Sequence, residues 1–148
     1  MNELVVTRLF DAPVALVYRA FVDADQLAQW FGPVGYSVPR DSVEVDARPG
    51  GAYRFTMVSD ADPAESSPIS ATFTEVEENR LLVGVEKVTG LPGTEGEVTL
   101  TMRVEFHDEG GKTRLVIRQG PFTPELAEMT RQGWESSFTK LDRALAAA

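Results

Sequence analysis

Chemistry in a protein begins with side chains that can move protons, attack an electrophile or hold a metal, and this chain offers few in a suggestive arrangement. Its single histidine, His107, alternates with Phe106, so in an extended segment it points to the wet side at a strand end. General acid–base work needs a titratable group of tuned pKa beside the substrate, which that position does not supply. A Ser-His-Asp arrangement would have to use the same His107, with no GxSxG nucleophile motif to support it. Cysteine is absent, so a metal would have to rely on carboxylates. The obvious cluster, Glu75, Glu77 and Glu78, falls where a hairpin turn is expected and reads as solvated surface. Arg48-Pro49-Gly50-Gly51 has the glycines of a phosphate loop, but it leads into the strand-like Tyr53-Arg54-Phe55 and not onto a helix N-terminus. Proline and glycine stand there where a type II turn wants them. No catalytic residue, metal or cofactor is expected.

What the sequence does concentrate is rings. Gln29-Trp30-Phe31-Gly32-Pro33 places two large aromatic residues just before a chain reversal, where they either close a core or line a hole in one. Behind them, Asp11-Ala12-Pro13 opens a helix in which Val14, Val17, Tyr18 and Phe21 form one apolar stripe. Asp23 or Asp25 caps a second short helix with Leu27, Trp30 and Phe31 on one face, and Gly32-Pro33 stops it. Ahead of both, Leu4 to Phe10 reads as a first strand.

From Ser42 to Gln119 the period changes to two. Val43 and Val45, then Tyr53, Phe55 and Met57, then Ile69, Ala71 and Phe73 alternate with polar residues. Val98, Leu100, Met102, Val104 and Phe106 do the same, and Asp108 to Gly111 marks a hairpin leading to Leu115 and Ile117. Such alternation means an antiparallel sheet with one buried face and one wet face. Leu81 to Val88 is ambiguous: either Leu81, Val83 and Val85 or Leu82 and Gly84 face inward. Ser59 to Pro68, without a large apolar residue, reads as an exposed loop, and Thr89 to Gly96 as a second. The chain closes on a long helix capped by Thr123 and opened by Pro124, with Leu126, Ala127, Thr130, Trp134, Ser137, Phe138, Leu141 and Leu145 within one arc. Gly133 costs that helix about 1 kcal/mol relative to alanine, so close packing or a bend is expected there.

The totals set the class. With 148 residues and no internal repeat, one domain spanning 1–148 is expected. The balance of 14 basic against 23 acidic residues gives −9, which disfavours nucleic acid and anionic membranes as partners. No apolar run approaches a membrane span, and MNELVVTRLF is not a secretory signal. With no cysteine, a cytoplasmic location is expected.

The order strand, two short helices, a meander of about six strands and a long terminal helix describes an α+β helix-grip fold: a curved antiparallel sheet of about six or seven strands holding the helix. Phe10-Asp11-Ala12-Pro13 before Val17, Trp30-Phe31-Gly32-Pro33, Asp46-Ala47-Arg48-Pro49-Gly50-Gly51, and Gly133-Trp134 with Leu141 together resemble the activator of heat-shock-protein-90 ATPase homologue-like family of the START-like (SRPBCC) superfamily. The resemblance covers nearly the whole chain. It implies either binding of an apolar small molecule or interaction with a chaperone ATPase; START-like relatives also include aromatase/cyclases, which need polar groups inside the cavity. The inward positions assignable here are almost all apolar, so binding or sequestration of a hydrophobic molecule between sheet and helix is the expected function, with a co-chaperone role and a cyclase or hydrolase activity as alternatives. The expected lining is Trp30, Phe31, Phe55, Met57, Phe73, Met102, Trp134 and Phe138, with Tyr53 and Gln119 as the polar handles.

Overall fold

The computed structural model describes residues 2–91 and 95–147. In chain order these are β1 (Asn2–Phe10), α1 (Val14–Val22), α2 (Ala24–Trp30), β2 (Tyr36–Ser37), a 3-10 turn (Arg40–Ser42), β3 (Glu44–Val45), β4 (Ala52–Ser59), β5 (Ser66–Glu77), β6 (Leu81–Thr89), β7 (Glu97–Glu109), β8 (Lys112–Phe122) and α3 (Pro124–Ala146). All strands join one curved antiparallel sheet in the order β1-β8-β7-β6-β5-β4-β2, with β3 also pairing β4. The sheet therefore reaches eight strands, because β2 is a pair of residues too short to announce itself by alternation. Of the second expected loop, residues 92–94 lie outside the described residues.

The local signals work as the residue types require. The Asp23 carboxylate accepts the N–H groups of Asp25 and Gln26 at 2.9 and 3.1 Å, so Asp23 and not Asp25 caps α2. Gly32 follows with φ +97°, a conformation that turns the chain out of the helix and that side chains with a Cβ disfavour. In the predicted turn, Gly50 has φ +84° and the Gly51 N–H reaches the Arg48 carbonyl at 2.8 Å. Thr123 caps α3 by accepting the Leu126 N–H at 3.3 Å. Two expectations need correction. Ser66 to Pro68 belong to β5, opposite Val58, Met57 and Thr56, because pairing with β4 does not depend on apolar side chains. A Cβ on Gly133 would meet nothing within 4 Å, so no close approach demands that glycine.

The register of β6 is now defined. Leu82, Gly84 and Glu86 lie opposite Val104, Met102 and Leu100 of β7, which puts the even-numbered set on the concave face. That face carries a carboxylate, contrary to the expectation of an interior almost free of titratable groups. Over it, α3 packs chiefly against β1, β8 and both short helices. The core beneath is dense: Trp30, Phe21, Leu27, Leu115, Ile117 and Leu141 are fully buried, each worth about 1.5–3 kcal/mol of apolar burial. The Phe10 and Phe138 rings meet edge to face at 5.3 Å. Farther along the sheet, over β4 to β7, the filling stops.

Candidate functional site

A cavity of about 220 Å³ lies between the concave face of β4–β8 and the first turns of α3. Phe31, Phe55, Phe73, Met102 and Trp134 form its apolar walls, and Tyr53, Gln119, Thr130 and Glu86 contribute polar atoms. It adjoins a more open groove of about 420 Å³ flanked by Met57, Met129, Pro33 and Gly133. Phe31, Ile69, Gln119, Leu126, Thr130 and Trp134 border both spaces, so cavity and groove share a wall. Gly133 belongs to that mouth, where a side chain would stand in the opening. Another hollow, of about 530 Å³ and bordered by Tyr36, Asp60, Lys140 and Arg143, is open and polar and lacks the apolar enclosure of a small-molecule site.

The walls are held by aromatic contacts. Phe31, placed by the end of α2, meets Phe55 at 4.5 Å and Trp134 at 5.6 Å between ring centres, edge-to-face arrangements that favour a fixed orientation. Tyr53 packs on Phe55 and Phe73 at 5.1 and 4.9 Å. Room at the floor comes from small residues: Ala71 and Gly84 border the cavity where larger side chains would fill it.

The polar groups differ in how much of their bonding capacity is already used. The Tyr53 hydroxyl donates to the Phe21 carbonyl at 2.9 Å, and burial pushes its phenol far up in pKa. Its proton is thus committed, which leaves the lone pair of the Tyr53 oxygen as what this cavity-lining residue can offer a ligand. The Trp134 indole N–H donates to Gln119 Oε1 at 3.0 Å, which aims the amide. Thr130 donates its hydroxyl to the Leu126 carbonyl at 2.8 Å. Glu86 is the group the sequence reading missed. The β5–β6 pairing ends at Thr72 and Val85, and just past that point the Ser70 N–H, at 2.7 Å, is accepted by Glu86 Oε2. Burial raises the Glu86 pKa, with the Ser70 bond pulling the other way. Reading Leu82 and Gly84 as the inward pair would have carried Glu86 inward with them; nothing local favoured that choice over Leu81 and Val83.

Of the candidate lining residues, Phe31, Tyr53, Phe55, Phe73, Met102, Gln119 and Trp134 come together around the cavity, and Met57 borders the groove. Trp30 and Phe138 do not. Trp30 is fully buried, its indole N–H donating to the Ala20 carbonyl at 2.8 Å. Phe138 is 1% exposed, packed between Phe10 and Trp134. The two rings at the opening reversal thus divide the work: Trp30 seals the solid core and Phe31 walls the cavity. His107 sits on the opposite, convex face, its ring 2.9 Å from Glu105. Glu77 pairs with Arg80 at 3.5 Å at the hairpin, on exposed side chains.

A long helix gripped by a curved antiparallel sheet, with an apolar cavity between them, defines a helix-grip protein of the START-like kind. The family model described as Activator of Hsp90 ATPase homolog 1-like protein matches residues 11–146, and the chain belongs to that family. Among solved structures, the chain is similar to the AHSA1 protein of Silicibacter pomeroyi, with 22% identity, 99% of each chain covered and a TM-score of 0.82. A protein of Chromobacterium violaceum is 24% identical over 97% of this chain and 96% of its own, with a TM-score of 0.82. A protein of Nitrosomonas europaea is 24% identical over 98% and 94%, with a TM-score of 0.80. At these identities the likeness speaks for the fold. No curated protein matches the chain significantly. Among the described residues, no helix is long and apolar enough to cross a membrane.

Proposed function

We propose that this chain binds an apolar small molecule in the cavity beneath α3 and holds it without transforming it. The observation that carries the reading is the aromatic enclosure between sheet and helix, opening onto an apolar groove, with the Tyr53 hydroxyl already hydrogen-bonded to the protein. The titratable group that acid–base chemistry on the ligand could use is Glu86, which lines the cavity with a raised pKa. Among the described lining residues the other one is Tyr53, whose raised pKa and committed proton make it a poor partner. Native mass spectrometry and thermal-shift screening against lipids, polyketides and aromatic compounds test the reading, with Ala71→Leu as the variant that fills the floor. The expected result is retention of at least one compound by the wild type and its loss in Ala71→Leu. Failure of every apolar compound to bind rejects it.

A second reading follows from the family's description: stimulation of a chaperone ATPase of the heat-shock-protein-90 type. ATPase turnover of the cognate chaperone with and without this chain decides it, and unchanged turnover removes it.

A further inference from the structure

Glu86 is the one carboxylate lining the described cavity. Its only hydrogen bond within the described residues is from the Ser70 N–H to Oε2, and no Lys or Arg pairs with it. A carboxylate half withdrawn from water and left without a cation is an unfavourable arrangement in a folded protein, so its charge is available to whatever enters. The surroundings suit one kind of entrant. Phe31, Phe73 and Trp134 line the same space, and aromatic rings attract cations at their faces. The lining offers no cationic side chain to hold an acidic head group. The whole molecule, at −9, attracts cations and repels anions on approach. Glu86 borders the cavity and not the groove, which sets a direction: head group inward, apolar tail toward the mouth between Met57 and Met129.

We propose, resting on the apolar-ligand reading above, that the cavity selects amphipathic amines, with the ligand ammonium paired to Glu86 Oε1 and its apolar body against Phe31, Phe73 and Trp134. Gln119, whose Oε1 is held by Trp134, leaves its amide N–H groups near the junction of cavity and groove for an acceptor elsewhere on the ligand. Octylamine, octanol and octanoic acid share one apolar tail and differ in the head, so titration of each by calorimetry near neutral pH tests the inference. Octylamine is expected to bind at least about tenfold more tightly than octanol, with octanoic acid weakest. In Glu86→Gln, which keeps a carbonyl oxygen for the Ser70 N–H, octanol affinity is expected to persist while the octylamine advantage disappears. Equal binding of octylamine and octanol by the wild type overturns the inference and leaves the apolar reading standing. An octylamine preference that survives in Glu86→Gln also overturns it, assigning the preference to net charge. Absence of binding by all three probes sinks this inference, and a negative screen of larger apolar compounds then sinks the underlying reading as well. If Glu86→Gln fails to fold, the wild-type octylamine-to-octanol ratio is measured again at about 1 M salt, where long-range charge is screened: a preference that persists supports the pair with Glu86, and one that vanishes assigns it to net charge and overturns the inference.

Discussion

At one end of the molecule, where β1 and β8 lie under α3 and the short helices, rings interlock: Phe10 on Phe138, Phe21 on Trp30 at 4.9 Å, Phe21 on Phe106 at 5.5 Å. At the other end, over β4 to β7, the sheet presents equally large rings, yet about 220 Å³ stays empty. Aromatic content does not separate the two ends. What separates them is the residues between the rings. Both ends intersperse Leu, Ile and Val, but the open end also sets Ala71 and Gly84 on the floor and the charged Glu86 beside them. Packing to native density needs volume matched at each position, and the open end is short of it by design of its smallest members.

The contrast can be broken most directly by truncation. Phe138→Ala at the closed end is expected to lose about 3–5 kcal/mol in urea unfolding, because the ring leaves a cavity that its neighbours cannot fill. Met102→Ala at the open end removes a side chain that already borders open space and is expected to lose about 2 kcal/mol, the low end for such a truncation. Similar losses at both positions would show that the ends are packed alike. Trp134→Phe sharpens the boundary between them. It keeps the ring contact and removes the donor to Gln119, an expected loss of about 1 kcal/mol together with weaker binding of any ligand that uses the Gln119 amide.

Gly133→Ala is expected to stabilise by up to about 1 kcal/mol, since helix propensity improves and the added Cβ meets nothing within 4 Å; thermal unfolding reads the gain. A loss would mean that the helix needs glycine there after all.

Two carboxylates give opposite pH signatures. Burial raises the Glu86 pKa in the fold, so the folded state holds its proton more tightly, and stability falls as pH rises through that raised value. Glu86→Gln therefore raises Tm at neutral pH, and the gain fades on acidification below its ordinary value of 4.5. On the convex face Glu105 is held near 2 by hydrogen bonds from His107, Arg103 and Arg118. Its contribution is present above the ordinary 4.5 and is lost as pH falls toward 2. Because its partners are substantially exposed, Glu105→Gln is expected to cost at most about 1 kcal/mol at neutral pH, with wild type and variant converging in acid. A gain from Glu86→Gln that persists in acid would mean that charge burial is not its cause.

Periodicity and end signals in the sequence determined the architecture: the alternation in Tyr53-Phe55-Met57 and Leu100 to Phe106, the stripe from Leu126 to Leu145, the caps at Asp23 and Thr123, the turn at Gly50. These are local properties, fixed by the geometry of a single helix or strand. Much of the cavity wall followed from them, since Phe31, Phe55, Phe73, Met102 and Trp134 each sit on the apolar side of their own element. Which rings touch one another is a property of several elements at once. Trp30 and Phe138 have the same local pattern as Phe31 and Trp134; packing on Phe21 of α1 puts the first in the solid core, and packing on Phe10 of β1 the second. Glu86 was decided in the same way. A strand pattern readable in either phase acquires its inward face from the partner it pairs with, and β7 selected the phase that carries a carboxylate into the space under α3.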